Sequence, residues 1–176
     1  MLYTKKGDDG KTSAYHCDQR FSKSSVIAEA LGSLDEINSF LGIIKSKTKD
    51  NNLQLIINNI QENLFIIQAE VAGAEKTIIE EKINEAEDLI ANIEREIPPI
   101  TSFIIPGVSI ESAELDFART LVRKTERRVV AVMEESLVKV SPNSLAYLNR
   151  LSSLLYALAR LSAHKSGINE SAPSYK

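Results

Sequence analysis

The chain has 176 residues, 43% hydrophobic and 26% charged, with 7 Gly, 5 Pro and no Trp; this is one domain's length with material for a full core, and it excludes a disordered tail, a collagen-like chain and a low-complexity linker. With 21 Lys and Arg against 24 Asp and Glu the formal net charge is -3, which argues against a general nucleic-acid binder, because phosphate affinity draws on a surplus of cations. No run approaches the roughly 18 to 20 apolar residues that cross a bilayer, and Met1 to Lys6 lead into polar sequence instead of a signal-peptide apolar core, so the expectation is a cytoplasmic protein with no membrane attachment.

Residues 1–22, MLYTKKGDDGKTSAYHCDQRFS, hold two glycines and many short polar residues without a helical period, and read as a loop or extended arm. Cys17 is the lone cysteine and is expected to be an ordinary reduced thiol. From Ser25 to about Lys47 the residues Val26, Ile27, Ala30, Leu31, Leu34, Ile37, Leu41 and Ile44 recur at steps of three and four, which predicts an amphipathic helix. A second helix opens near Asp50 or Asn51, carries Leu53, Ile56, Ile60, Leu64, Ile67 and Val71, and runs to about Ala74. Thr77 and Glu80 are spaced as a capping box for a third, with Ile79, Ile83, Ala86, Ile90, Ile93 and Ile97 as its buried stripe and Pro98-Pro99 as its stop. Ser109 can cap a fourth helix reaching about Leu137. Ser141-Pro142 starts a fifth, which carries Leu145, Leu148, Leu151, Leu155 and Leu158 and ends near Gly167. The predicted fold is all-α: one domain over 1–176, with an arm at 1–22 and a five-helix antiparallel bundle of ferritin-like arrangement over 25–167.

Four groups of residues could carry chemistry. Thr4-Lys5-Lys6-Gly7-Asp8-Asp9-Gly10-Lys11-Thr12-Ser13 combines glycines, cations and hydroxyls suited to a polyphosphate, although it lacks the Walker spacing and reads equally as a polar turn. Arg119, Arg123 and Arg127 step by four along one face of the fourth helix, with Lys124, Glu126 and Arg128 beside them, and form either a solvated stripe or an anion reader. Asp35 could pair with one of them across the bundle and hold its guanidinium. Phe103, in the apolar loop before Pro106-Gly107, is either a plug for the end of the bundle or an aromatic wall for a flat ligand. Asn149, amid leucines, is a buried polar residue or a ligand contact. His16 and His164 fall in no metal-binding spacing, and no Ser-His-Asp or Cys-His nucleophile set is present.

Six segments in order resemble the PduO-type ATP:cob(I)alamin adenosyltransferases: residues 3–13, Ser22-Lys23, residues 32–39 (GSLDEINS), Phe103 to Gly107, residues 118–130 (ARTLVRKTERRVV) and residues 147–152 (YLNRLS). The resemblance implies a five-helix bundle assembled as a homotrimer, with ATP and a corrinoid held where subunits meet. It implies that Thr4, Lys5, Lys6, Gly7, Thr12, Ser13 and Lys23 bind ATP from the arm, and that Arg123, Lys124, Thr125, Glu126, Arg127 and Asn149 contribute from a neighbouring subunit. Arg119 is similar to the family arginine that pairs with the aspartate matched by Asp35. Phe103 matches the aromatic that displaces the lower axial ligand of cobalamin, and with Asp35, Arg119, Arg123 and Glu126 makes up the catalytic group.

The implied reaction is displacement at the 5′ carbon of ATP by Co(I), with triphosphate as leaving group and Mg2+ as its counter-ion. The implied partners beyond the homotrimer are a flavin-dependent reductase and an adenosylcobalamin-dependent client enzyme. Three places depart from the family pattern: residues 14–18 (AYHCD) stand where a glycine-rich stretch is common, Val108 where a second glycine is, and Lys124-Thr125 where Arg-Ala is. A noncatalytic helical assembly module, in which arm and arginine face make only subunit contacts, is the alternative from another class.

Overall fold

The computed structural model describes Tyr3, residues 5–13 and residues 20–175. Thr4, His16 and Cys17 lie outside the described residues. The arm contains two short antiparallel strands, β1 (Lys11–Thr12) and β2 (Phe21–Ser22), in register Lys11 to Ser22 and Thr12 to Phe21. Five helices follow: α1 (Val26–Lys47), α2 (Asn51–Val71), α3 (Glu80–Glu96), α4 (Ile110–Glu134) and α5 (Pro142–Lys165).

Caps set most of these boundaries. The Ser25 hydroxyl accepts from Ala28 N at 3.3 Å, and the Asp50 carboxylate from Asn52 N and Leu53 N at 2.8 and 3.2 Å. Ser109 and Ser112 exchange reciprocal bonds at 3.1 and 2.9 Å at the start of α4. Ser141 caps α5 ahead of Pro142. The capping box expected from Thr77 and Glu80 does not form. Ile79 is the N-cap of α3 with no side-chain bond, because the Thr77 hydroxyl donates to Ser141 Oγ at 2.6 Å and ties the loop to α5 instead. Of the expected α3 stripe, Ile83, Ala86, Ile90, Ile93 and Ile97 face the core, whereas Ile79 is exposed and Ile78, just before the helix, is fully buried in its place.

Cross-helix bonds fix the directions. Lys45 meets Asn58 and Gln61 on α2, Arg128 meets Glu29 on α1, Asn63 meets Tyr147 on α5, and Asn149 meets Glu126 on α4, each with chain numbers running opposite ways. α3 lies along α5 in the same direction, as Arg150 to Glu87 and Arg160 to the Pro98 carbonyl require. The result is an up-down-up-down-up bundle whose α4 packs between α1 and α5. Its core is Leu34, Ile37, Leu41 and Ile44 of α1, Ile57, Leu64 and Ile67 of α2, and Leu148, Leu151, Leu154 and Leu155 of α5, closed by Leu115, Val122, Val129 and Val132 of α4. Each such side chain contributes roughly 1.5–3 kcal/mol by leaving water. Polar side chains that sit inside are bonded there: Asn63, for one, donates to the Tyr147 hydroxyl at 2.9 Å, and burial pushes that phenol up to about 12, so it stays neutral. Among the described residues no helix is long and apolar enough to cross a membrane.

Candidate functional site

The connection from α3 to α4 crosses the end of the bundle and carries Phe103, which is 79% exposed. Burial does not explain this aromatic, so the reading of Phe103 as a bundle plug fails. Arg160 holds the connection in place. This guanidinium, itself buried, donates to the Pro98 carbonyl at 3.3 Å and to the Glu170 carboxylate at 3.0 Å, joining the start of the loop to the segment after α5. Ile105 N then bonds the Ser171 carbonyl at 2.9 Å. Between these two segments and the α4–α5 face lies a cleft of about 1000 Å³, within the range of small-molecule sites. Its walls are Phe103, Ile100 and Pro106 on the loop, Arg119 and Arg123 on α4, and Tyr156 on α5, with Pro173 and Tyr175 closing one side.

Two of the three stepped arginines therefore face one cleft with the exposed aromatic. Arg123 is exposed and, among the described residues, has no ion-pair or hydrogen-bond partner. Arg119 is held: its Nε donates to Asp116 Oδ1 at 2.7 Å, and its guanidinium carbon stands 5.9 Å from the Tyr156 ring centroid. Asp35 is exposed and is not among Arg119's partners, which corrects the pairing expected across the bundle. The register explains it. Phe40 stacks edge-on against Phe117 and Lys124 pairs with Glu36, so Arg119 stands level with Ser39, about one turn or ~6 Å from Asp35 along the axis.

The rest of the expected α4 group divides by face. Lys124 and Arg128 turn to α1, where they pair with Glu36 and Glu29. Thr125 was expected to touch ATP, but it is fully buried and its hydroxyl donates to the Ser33 carbonyl at 3.0 Å, so in this chain it is a packing contact between α4 and α1. Glu126 accepts from Asn149 Nδ2 at 3.1 Å; Asn149 in turn accepts from Arg150, which bridges to Glu87 on α3. Asn149 is exposed, on the same α4–α5 face as the cleft, and not a buried core amide. Arg127 is exposed and lies outside the cleft lining.

The arm is ordered by two cations. Lys23 Nζ donates to the Gly7 carbonyl at 2.8 Å. A Cβ on Gly7 would stand 3.0 Å from that ammonium, so a larger residue there would displace the lysine tip from the carbonyl it holds. Arg20 grips the Asp9 carboxylate at 2.8 and 3.0 Å and also donates to the Lys6 carbonyl. That guanidinium holds the Asp9 carboxyl below the usual aspartate range. Lys5 takes φ 58, a left-handed value uncommon outside glycine. Thr12 lies in β1 and Ser13 follows it, exposed.

None of Lys5, Lys6, Gly7, Thr12, Ser13 and Lys23 lines the cleft. The Glu29 to Arg128 pair shows why: the first turn of α1, where the arm joins, is about nine residues or ~14 Å along α4 from Arg119. The structure thus gathers Phe103, Arg119 and Arg123, sets Glu126 and Asn149 further along the same face, and leaves the arm and Asp35 apart. Sequence reasoning missed Asp116, Tyr156 and Arg20. Asp116 reads as an ordinary i,i+3 surface partner and Tyr156 as one more apolar residue in a leucine stripe.

Comparison with known proteins follows the same outline. Residues 2–162 match the model of a family described as cobalamin adenosyltransferase. The chain is 39% identical over 93% of its length to the corrinoid adenosyltransferase PduO of Citrobacter freundii, and covers 50% of that protein; it spans about half the length of the PduO relatives it matches. A corrinoid adenosyltransferase of Bacillus subtilis is 34% identical over 96% of this chain and 90% of its own length. Among solved structures, a variant of the PduO-type ATP:corrinoid adenosyltransferase from Lactobacillus reuteri complexed with cobalamin and ATP superposes with a TM-score of 0.92, at 28% identity over 99% of this chain and 97% of that one.

Proposed function

The chain belongs to the cobalamin adenosyltransferase family, and from that premise we propose that it transfers the 5′-deoxyadenosyl group of ATP to the cobalt of a cob(I)alamin or related corrinoid, releasing triphosphate. The observation that carries the reading is the convergence of Phe103, Arg119 and Arg123 on one cleft of about 1000 Å³. In the reaction the Co(I) electron pair attacks the 5′ carbon, the bond from that carbon to the phosphate oxygen breaks, and triphosphate leaves with its electrons. Cobalt supplies the nucleophile, which fits a chain without a Ser-His-Asp or Cys-His set.

The protein's part is alignment and charge. Arg123, which lines the cleft, exposed and without a carboxylate partner among the described residues, would neutralise the leaving tetra-anion. Phe103 offers a ring face to a flat macrocycle and would push away the lower axial ligand of cobalt, leaving a species that is easier to reduce. The arm, with Lys5, Lys6, Lys23 and the Gly7 backbone, has the composition of a polyphosphate cradle. A magnesium ion would travel with the nucleotide, because Mg2+ takes most of its oxygens from phosphates and water; among the described residues no three His, Cys, Asp or Glu side chains gather to hold a resident ion.

The arm and the cleft stand about nine residues or ~14 Å apart along the bundle of one chain, and neither lines the other's surface, so the reading shares the complete site between copies in a homotrimer. Support comes from Asp35, exposed and without a partner among the described residues, and from Ile43, Leu55, Phe65 and Phe117, large apolar residues exposed on α1, α2 and α4. The reading places the enzyme in the cytoplasm, fed by a flavin-dependent reductase and serving an adenosylcobalamin-dependent client.

The test is direct. Protein, ATP, magnesium and chemically reduced cob(I)alamin are combined anaerobically, and the visible spectrum is followed for conversion to a light-sensitive alkylcobalamin. Conversion is expected. Its absence, with folded protein and cob(I)alamin verified, would transfer the arginine face and arm to the assembly role.

A further inference from the structure

The segment that carries Phe103 draws little on burial. Ile100, Phe103 and Ile105 are exposed, as are Ile168 and Tyr175 of the stretch after α5 that runs beside it. Polar ties therefore decide where both segments lie. Among the described residues two hydrogen bonds fasten residues 98–107: Arg160 Nη2 donates to the Pro98 carbonyl at 3.3 Å, and Ile105 N to the Ser171 carbonyl at 2.9 Å. Phe103 stands between these two feet of the loop.

Both feet lead to Arg160. Only 7% of this residue is exposed, and a guanidinium so placed requires its charge to be met. Glu170 meets it, with Nε and Nη2 donating to the carboxylate at 3.1 and 3.0 Å. The carboxylate comes from the stretch after α5 and not from a helix, and Ser171, next in sequence, supplies the carbonyl that Ile105 uses. The buried charge thus recruits the tail, and the tail in turn holds the loop. Every group in this relay belongs to one chain and Arg160 is buried within it, so the relay stands whichever copy brings the nucleotide arm.

We propose that Arg160 and Glu170 are positioning residues for Phe103: the guanidinium fixes one foot of the loop at Pro98 directly and the other at Ile105 through the tail, so that the ring meets the corrinoid at a set height. Neither side chain lines the cleft, so both act through the loop and not on substrate. The consequence at cobalt rests on the adenosyltransferase reading, whereas the relay has a readout that needs no substrate.

Glu170→Ala unties the tail and strands a buried charge. Arg160→Met/Glu170→Ala unties it and strands none, because an unbranched apolar side chain takes the place of the guanidinium. In the double variant the yield of the reactive cobalt species, followed spectroscopically with Co(II) corrinoid and ATP, should fall about tenfold or more, as misplacement of an aligned group does. ATP affinity, read by calorimetry, and the melting temperature should stay close to wild type. If the cobalt species fails in Glu170→Ala and returns in the double variant, the defect lay in the stranded charge and the proposal is overturned. A joint loss of ATP affinity and melting temperature in the double variant also overturns it, by making the pair merely structural. The path of the effect is read in the Phe103→Ala background, where the double substitution should add nothing. A further loss there would show the tail acting on the corrinoid itself, through Pro173 and Tyr175 of the cleft wall, and would overturn the route through the loop. The relay is read without substrate in the exchange of the Ile105 amide hydrogen: Glu170→Ala should speed it about tenfold or more while amides in the middle of α5 keep their rates. An unchanged Ile105 rate overturns the relay. Should the wild type convert no cob(I)alamin while the Ile105 amide responds as expected, the reaction falls and the relay stands.

Discussion

A phenylalanine held in water gives up the burial energy that its neighbours in the bundle collect. Phe103, 79% exposed, adds little to the stability of this chain, so its removal separates function from folding. Phe103→Ala should leave the melting temperature and ATP affinity near their wild-type values while impairing formation of the reactive cobalt species, followed spectroscopically with Co(II) corrinoid and ATP. A large loss of ATP binding would move the residue to the nucleotide. Arg123 is the complementary case. It meets no carboxylate among the described residues, so Arg123→Ala leaves no orphaned partner and should cost little stability, yet turnover should fall by ~100-fold or more, as loss of an electrostatic donor does. Near-wild-type turnover would overturn that role. The side chains that share a cleft with these two, Asp116 and Tyr156, could not be picked out from the sequence, because only the packing of α5 on α4 shows which tyrosine meets which arginine.

Helix boundaries were legible wherever the cap is local. Ser25, Asp50, Ser109 and Ser141 each bond amides of the turn they precede, so a short polar residue ahead of an apolar period was enough to find them. Thr77 failed because its hydroxyl has a partner 64 positions away, Ser141, and no local rule competes with a tertiary bond of that kind. Strands β1 and β2 were missed for a related reason: two residues each are too few to show an alternating period. Asp50 offers the sharpest test at this scale. Its carboxyl lies below the usual aspartate range, first because Leu53 N donates to it and further because Lys165 does. The cap therefore contributes fully above the ordinary aspartate range and is lost as pH falls through the lowered value. Asp50→Ala should lower stability by about 1 kcal/mol near neutral pH, and the gap from wild type should close in acid. A gap that persists once the carboxyl is protonated would assign the effect to packing instead of to the charged cap.

At the scale of the whole molecule the arm and the cleft have different neighbours and the same proposed ligand. The first turn of α1 sits at the Arg128 end of α4, and the cleft sits at the Arg119 end. If one copy supplies the arm and the next supplies the cleft, two inactive proteins should repair each other. Lys23→Ala would remove the side chain that draws the arm together at the Gly7 carbonyl, and Arg123→Ala would remove the cation of the cleft, so each variant alone should be nearly inactive. Unfolding the two together in equal amounts and refolding them mixes the copies within each closed ring. A site is intact only where an undamaged arm, from an Arg123→Ala copy, meets an undamaged cleft, from a Lys23→Ala copy. Random mixing makes that about one site in four, so activity should return to about a quarter of the wild-type level. Refolding the variants separately and mixing them afterwards should restore none while subunits do not exchange. If co-refolding also restores none, with oligomers of mixed composition demonstrated by mass spectrometry, arm and cleft belong to one chain, and the arm must then swing about 14 Å along the bundle to meet the ligand that the cleft holds.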